Sequence, residues 1–109
     1  MHAYELVMVL QSALDDGGVN ALLAGLAGGV ERNGGEVQLA GQLMDRRGTV
    51  GETTEGWKAR RLAYPMSKNK EGYFAVLRFN APPAYIVELE RGLQLDENVL
   101  RYITVRGDE

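Results

Sequence analysis

Three basic residues within four positions give this chain its strongest candidate for specific chemistry: Lys58, Arg60 and Arg61. Ammonium and guanidinium groups form charge-assisted hydrogen bonds with phosphate and carboxylate oxygens. Because side chains alternate along a strand, Lys58 and Arg60 would point to one face and Arg61 to the other. That arrangement suits a strand rim reached by two phosphate backbones, or by RNA and a protein carboxylate. It also suits a solvated edge strand whose charges prevent aggregation, which the spacing alone favours.

The positive charge is concentrated in the middle of the chain. The 109 residues carry a net charge of -3. Residues 45–78 nevertheless hold eight of the twelve basic residues and only four of the fifteen acidic ones. A local basic strip on an acidic body predicts docking on a polyanion in one orientation, because the rest of the surface repels phosphate.

The residue types exclude several kinds of chemistry. There is no cysteine and only one histidine, which excludes disulfide scaffolds, cysteine-based zinc sites, cysteine nucleophiles and two-histidine metal sites. His2 would have to serve any serine-histidine-aspartate triad, and its place beside the terminus favours an ordinary surface role. We therefore predict neither a metal nor a cofactor.

Two short patterns resemble functional motifs but have simpler explanations. Gly51 and Gly56 have the spacing of half a phosphate-binding loop, but the Lys-Ser/Thr pair that should follow Gly56 is absent. Asp15 and Asp16 could form an acid/base pair on paper. They stand just before a helical pattern, however, and are better explained as helix caps.

The composition is that of one globular domain, with 45% hydrophobic and 25% charged residues. No apolar run approaches the roughly 20 residues of a membrane span. The N-terminal residues lack the pattern of a signal peptide. We expect a single cytoplasmic domain over residues 1–109.

The first half of the chain predicts a strand, a helix and a second strand. Ala3 to Leu10 is apolar on both alternating faces, as in a central strand. A helical spacing of apolar residues follows, from a cap at Asp15 or Asp16 to a stop at Asn33-Gly34-Gly35. Glu36 to Leu43 alternates apolar and polar residues, as in an edge strand.

The second half begins with a Gly- and Thr-rich stretch over residues 44–56, which predicts an inserted hairpin or loop. After it we expect a strand over Trp57 to Met66, a polar turn over residues 67–72 and a strand over Tyr73 to Asn80. A helix that starts at Pro82 or Pro83 and a last strand over Val99 to Arg106 follow. We assign Trp57 and Phe79 to packing.

With the strand segments on either side of the insertion at residues 44–56 counted as one strand, the order strand, helix, strand, strand, helix, strand predicts an α+β fold, the ferredoxin-like split βαβ sandwich. A four-stranded antiparallel sheet carries both helices on one face and leaves the other face open. RNA-recognition domains share this topology, but their third strand stacks bases on paired aromatic residues. Here Glu71 replaces the basic residue of that signature and Ala75 its second aromatic residue, so we expect no stacking platform.

Several blocks along the chain, in order, resemble one family. They are Tyr4-Glu5, Arg60 to Met66 (RRLAYPM), Lys70 to Phe74, Ala81-Pro82-Pro83, Glu88 to Arg91 and Leu95 to Arg101. Together these blocks are similar to the bacterial small-subunit (30S) ribosomal protein number six (S6) family. The resemblance implies the same fold and a non-catalytic role. It also implies binding of the central domain of small-subunit ribosomal RNA beside small-subunit ribosomal protein eighteen (S18).

Residues expected to contact RNA are mostly the cations of the basic stretch: Lys58, Arg60, Arg61, Tyr64, Lys68, Lys70 and Arg101. Tyr64 suits either a core position or a ribose contact, and Arg101 lies apart on the last strand. Strand alternation suggests that four residues line a sheet face covered by a partner: Tyr4, Val7, Val9 and Tyr102.

A different class of function stays open at this point. Ferredoxin-like domains also serve as small-molecule-binding regulatory modules and as small dimeric cofactor-free oxygenases. Such proteins need an enclosed polar cavity between sheet and helices, often with a histidine, and only His2 is available. RNA binding predicts an affinity that falls steeply with salt, whereas a small-ligand module predicts little salt dependence.

Overall fold

The computed structural model describes residues 1–44, 50–51, 56–66 and 69–107. Its elements are β1 (His2–Gln11), α1 (Asp16–Arg32), β2 (Glu36–Leu43), β3 (Val50–Gly51), β4 (Arg60–Met66), β5 (Asn69–Ala81), α2 (Pro83–Leu95) and β6 (Val99–Arg106). The expected α+β, ferredoxin-like architecture is confirmed. Neither described helix combines the length and the apolar character needed to cross a membrane.

All strand pairings are antiparallel, and the long strand β5 organises them. The order across the sheet is β3-β2-β5-β1-β6, with β4 also paired to β5. β1 runs along one edge of β5, from Gly72 to Ala81. The other edge is shared, because β2 pairs with Ala75 to Asn80 and β4 with Asn69 to Gly72. β2 and β4 are therefore two parts of one second strand, interrupted by residues 44–59.

The core lies between the sheet and the two helices. On β1, Leu6, Met8 and Leu10 point toward the helices and are fully buried. Their neighbours on β5 in the same layer include Leu77 and Phe79, which are also fully buried. The helices contribute buried residues at helical spacing, namely Val19, Leu23, Val30, Leu89 and Leu93. The expected core positions of Trp57 and Phe79 are confirmed.

Local chemistry sets the ends of both helices. Asp15 caps α1, and its Oδ1 accepts a hydrogen bond of 2.7 Å from the backbone N–H of Gly18. Gly34 follows the helix with φ +83°, a conformation that glycine adopts without strain. α2 has no side-chain cap, and Pro83 occupies its first turn, where the absent proline N–H costs no helical hydrogen bond.

Two predicted boundaries in the second half are wrong. The strand expected from Trp57 begins at Arg60, because side chains bond the backbone of residues 56–58 before the ladder starts. The strand expected from Tyr73 begins at Asn69, because residues 69–72 pair with β4. In the expected insertion, residues 45–49 and 52–55 lie outside the described residues, and Val50–Gly51 pair with β2.

Candidate nucleic-acid interface

Arg60, the first residue of β4, lies over a phenylalanine ring of β5. Its backbone pairs with Gly72, and its guanidinium carbon lies 5.1 Å from the centroid of the Phe74 ring. Nη1 donates a hydrogen bond of 3.1 Å to the carbonyl oxygen of Leu43. A guanidinium has five N–H donors, so this bond leaves further donors for an anion. Arg60 is thus a fixed and oriented cation.

Exposed cations surround Arg60 at the same end of the sheet. Lys58 precedes β4, Arg61 lies within it, and Lys70 lies on β5, and all three side chains are exposed. Arg61 pairs with Glu71 across the ladder, which places one opposite charge beside it. We call Lys58, Arg60, Arg61 and Lys70 the basic end. Of the other predicted contacts, Lys68 and the side chain of Tyr64 lie outside what the structure describes.

Arg101 is not part of the basic end. It lies on β6 opposite Val9, and both β1 and β5 separate it from β4. At the usual spacing between strands, this is about 14 Å across the sheet. An RNA segment bound at the basic end would have to extend across the sheet to contact Arg101 as well.

An ion pair neutralises another cation of the basic stretch. Arg78 Nε donates to Glu5 Oε2 at 2.6 Å, and the two residues are directly opposite each other on β5 and β1. Both side chains are more than a third exposed, at 42% and 36%, so solvent screening limits the pair to at most about 1 kcal/mol. Because Glu5 offsets the charge of Arg78, the net positive charge on this side of the sheet is concentrated at the basic end.

The four residues predicted to line a partner-covered face lie on two faces. Tyr4 and Tyr102 pack against the core beneath the helices, and the Tyr102 hydroxyl accepts a hydrogen bond of 2.9 Å from Gln94 Nε2. Val7 and Val9 alternate with Leu6 and therefore point away from the helices. The expectation that all four share the uncovered face is wrong for the two tyrosines, because the pleat turns them inward. A role in partner binding stays a prediction for Val7 and Val9.

The uncovered face carries apolar residues that the sequence reasoning did not select. Ile103 and Val105 on β6 are 58% and 48% exposed, and the register sets Ile103 opposite Val7. We call this surface the open face; its apolar members are Val7, Val9, Phe74, Val76, Ile103 and Val105. The alternation of Arg101, Ile103 and Val105 in the last strand was the signal that could have found them.

Among the side chains that the structure describes, the open face offers no platform of paired aromatic residues. Tyr73 points into the core, where its hydroxyl donates a hydrogen bond of 3.0 Å to the Leu14 carbonyl oxygen. Phe74 points to the open face but lies beneath the Arg60 guanidinium. Phosphate contact is therefore better supported here than base stacking.

A groove of about 490 Å³ runs between α1 and α2. Tyr85 lines it, and burial raises the pKa of its hydroxyl, while nearby Arg32 lowers that pKa and Glu88 raises it. The groove lies between the helices at the surface, and His2 does not line it. It does not match the enclosed polar cavity that a small-molecule module or a cofactor-free oxygenase requires.

Comparison with known proteins shows which family this chain resembles in sequence. The family model described as Ribosomal protein S6 matches residues 37–106. The small ribosomal subunit protein bS6 of Methylobacterium radiotolerans is 34% identical over 109 residues, which is all of this chain and 62% of that relative. The protein of the same name from a Nocardioides species is 33% identical over 99% of this chain and 98% of its own length.

A solved structure supports the same assignment at the level of the fold. The crystal structure of 30S ribosomal protein S6 from Thermotoga maritima superposes with a TM-score of 0.77 and 18% sequence identity. The match covers 97% of this chain and 87% of that one. The sequence comparisons show the family as well as the fold, because the family model matches the chain from β2 to β6. The chain belongs to the ribosomal protein S6 family.

Proposed function

We propose that this protein, a structural and non-catalytic component of the small ribosomal subunit, binds the central domain of the small-subunit ribosomal RNA together with S18. The observation that carries the RNA contact is the basic end, where three exposed cations surround the oriented guanidinium of Arg60. Lys58, Arg61 and Lys70 act as point charges that release counterions from phosphates. The Arg60 fork adds directional hydrogen bonds.

The charge of the remaining surface supports binding in one orientation. The chain is acidic overall, with a net charge of -3. RNA that meets the basic end is attracted, and RNA that meets the acidic helices is repelled. Such a protein adds to a defined RNA site in the cytoplasmic ribosome instead of coating RNA at random.

The open face supports the second contact, with S18. Ile103 and Val105 are large apolar residues that are about half exposed, and the partly exposed Val7 lies beside Ile103. Val9 and Val76 continue the same face but are themselves buried. Contiguous exposed apolar surface typically marks a protein interface. S18 bound on this face would cover it and would add its own contacts to RNA.

The chain forms one domain over residues 1–109, with an excursion inserted at 44–56. The excursion leaves the sheet after β2 and pairs briefly with it through Val50–Gly51. Arg46 and Arg47 belong to this excursion, outside the described residues. We propose that the excursion lengthens the basic end toward the RNA.

A filter-binding titration against the central domain of the ribosomal RNA, with and without S18, tests the RNA contact. The affinity of the wild-type protein should fall with salt, with a log–log slope of about 0.9 per neutralised phosphate, the value for double-helical DNA. Replacing both Arg60→Ala and Arg61→Ala should weaken binding and lower that slope. An affinity of the wild-type protein that does not change with salt would contradict the proposed function.

A matched control separates the basic end from overall charge. Arg61→Gln removes a charge at the basic end, and Arg91→Gln removes one from the exposed surface of α2. We expect the slope to fall for the first variant only. Equal effects of the two variants would show that the RNA responds to net charge and not to this site.

A further inference from the structure

Side chains of α1 hold the chain just before the basic end. The backbone N–H of Trp57 donates a hydrogen bond of 3.1 Å to Asp16 Oδ1. The indole Nε1–H of the same residue donates one of 2.8 Å to Asn20 Oδ1. Asp16 and Asn20 lie on the first two turns of α1, so Trp57 is joined to the helix by both its backbone and its side chain.

Gln42 makes a second connection, from the strand that precedes the excursion. Its Nε2 donates a hydrogen bond of 3.1 Å to the Gly56 carbonyl oxygen, and its Oε1 accepts one of 3.2 Å from the backbone N–H of Lys58. Only 6% of Gln42 is exposed. The amide of Gln42 thus substitutes for the strand partner that residues 56–58 lack and joins the two ends of the excursion.

The bonded segment also fits its surroundings sterically. Gly56 has φ +98°, a conformation that favours glycine, and a Cβ there would lie 2.7 Å from Asp16 Oδ2, so a larger residue would also displace the Asp16 side chain. The Trp57 ring is 7% exposed and meets the Tyr73 ring edge-on at 6.4 Å. We call Asp16, Asn20 and Gln42, with Trp57 between them, the clamp.

The Arg60 end of β4 needs such a device because the short connection to β5 fixes the register only at the Met66 end. Met66 pairs with Asn69 only two residues further along the chain, which sets the register there, whereas the Arg60 end enters the sheet after the excursion and residues 57–59. The β4 ladder is irregular, with a register shift between Arg61 and Met66. A slip of one residue would lift Arg60 off Phe74 and exchange the faces of Arg60 and Arg61.

We propose that Asp16, Asn20 and Gln42 are positioning residues for RNA binding. Asp16 and Asn20 act through Trp57, and Gln42 through Gly56 and Lys58, to fix the register of β4 and the direction of Lys58, Arg60 and Arg61. The inference rests on the proposed function, because its consequence is measured on RNA. The clamp itself contributes no cation. It makes the geometry of the basic end independent of the length and sequence of the excursion.

Two variants release the clamp, and two matched variants leave it intact. Asn20→Leu removes the acceptor of the indole N–H, while Asn20→Asp keeps it. Gln42→Leu removes both amide bonds, and Gln38→Leu makes the same change at an exposed position of β2. Asn20 is exposed, so its replacement leaves the core unchanged and the test does not depend on a buried substitution.

The first measurement needs no RNA. Trp57 is the only tryptophan of the chain, so acrylamide quenching of intrinsic fluorescence reports on the clamp alone. Quenching, and amide exchange at Trp57 and Lys58, should rise severalfold in Asn20→Leu and Gln42→Leu. Both should stay at wild-type values in Asn20→Asp and Gln38→Leu.

The second measurement is the salt dependence of binding to the central domain of the ribosomal RNA, at a temperature where every variant is folded. Loss of one phosphate contact should lower the log–log slope by about 0.9 in Asn20→Leu and Gln42→Leu, with Asn20→Asp restoring it. Lower thermal midpoints with an unchanged slope would mean a purely structural clamp and would overturn the inference. Absence of salt-dependent binding by the wild-type protein would instead overturn the proposed function.

Discussion

The two phenylalanines of this chain lie five residues apart on β5 and have opposite surroundings. Phe79 is fully buried among Leu6, Leu77 and the helices. Phe74 points to the open face, where the Arg60 guanidinium partly covers it. The protein closes one face of its sheet with two helices and leaves the other to long side chains. A sheet face that no helix covers can bind a partner without disrupting the core that stabilises the fold.

The largest expected difference between the faces is in stability. Phe79→Ala should lower the free energy of unfolding by about 3–5 kcal/mol, because it leaves a cavity in a fully packed layer. Phe74→Ala should cost clearly less, since Phe74 is only partly buried. Urea denaturation of both variants measures the two values. Equal losses would mean that the open face is as well packed as the core.

The next effect tests the proposed contact with S18. Ile103→Asp places a charge at the most exposed apolar residue of the open face and should weaken S18 binding at least about tenfold, with little change in stability. Val87→Asp is the control, because Val87 on α2 has a similar exposure of 61%, against 58% for Ile103. Calorimetry or an immobilised-partner assay gives both affinities. Weaker binding by both variants would remove the open face as the specific interface.

A smaller effect tests how Arg60 covers Phe74. A double-mutant cycle with Arg60→Gln and Phe74→Leu should give a coupling energy of about 0.5–1 kcal/mol, as expected for a cation over an aromatic ring at a partly exposed site. The cycle is measured by chemical denaturation. Additivity of the two single changes would indicate that the guanidinium is held by the Leu43 carbonyl oxygen alone.

The smallest effect lies on the helix-covered side, in the groove between α1 and α2. Burial raises the pKa of Tyr85 above that of the unfolded chain. The neutral phenol therefore contributes stability that is complete below about pH 10, the usual tyrosine pKa, and is lost as the pH rises through the pKa of the folded protein. Tyr85→Phe should flatten the decline of the unfolding free energy above pH 10. A decline in the variant as steep as that of the wild type would mean that groups other than Tyr85 cause it.

Much of the fold could be predicted because local patterns and tertiary structure agree. β2 and β6 have the predicted bounds, Glu36–Leu43 and Val99–Arg106, since their alternation and flanking turn residues mark both ends. Asp15 and the Pro82-Pro83 pair marked the helix starts for local reasons of hydrogen bonding and backbone angle. The start of β4 was missed because Trp57 and Lys58 bond to side chains distant in sequence.

The sequence by itself determined the order of elements, the basic stretch, and the motif block from Arg60 to Met66 that identifies the family. Only the tertiary structure decided which face of β1 the helices cover, and so moved Tyr4 and Tyr102 inward and left Val7 beside Ile103 outside. It also separated Arg101 from the basic end and fixed Arg60 over Phe74. The physical reason is that alternation specifies two faces of a strand, while their burial depends on packing against residues far away in the chain.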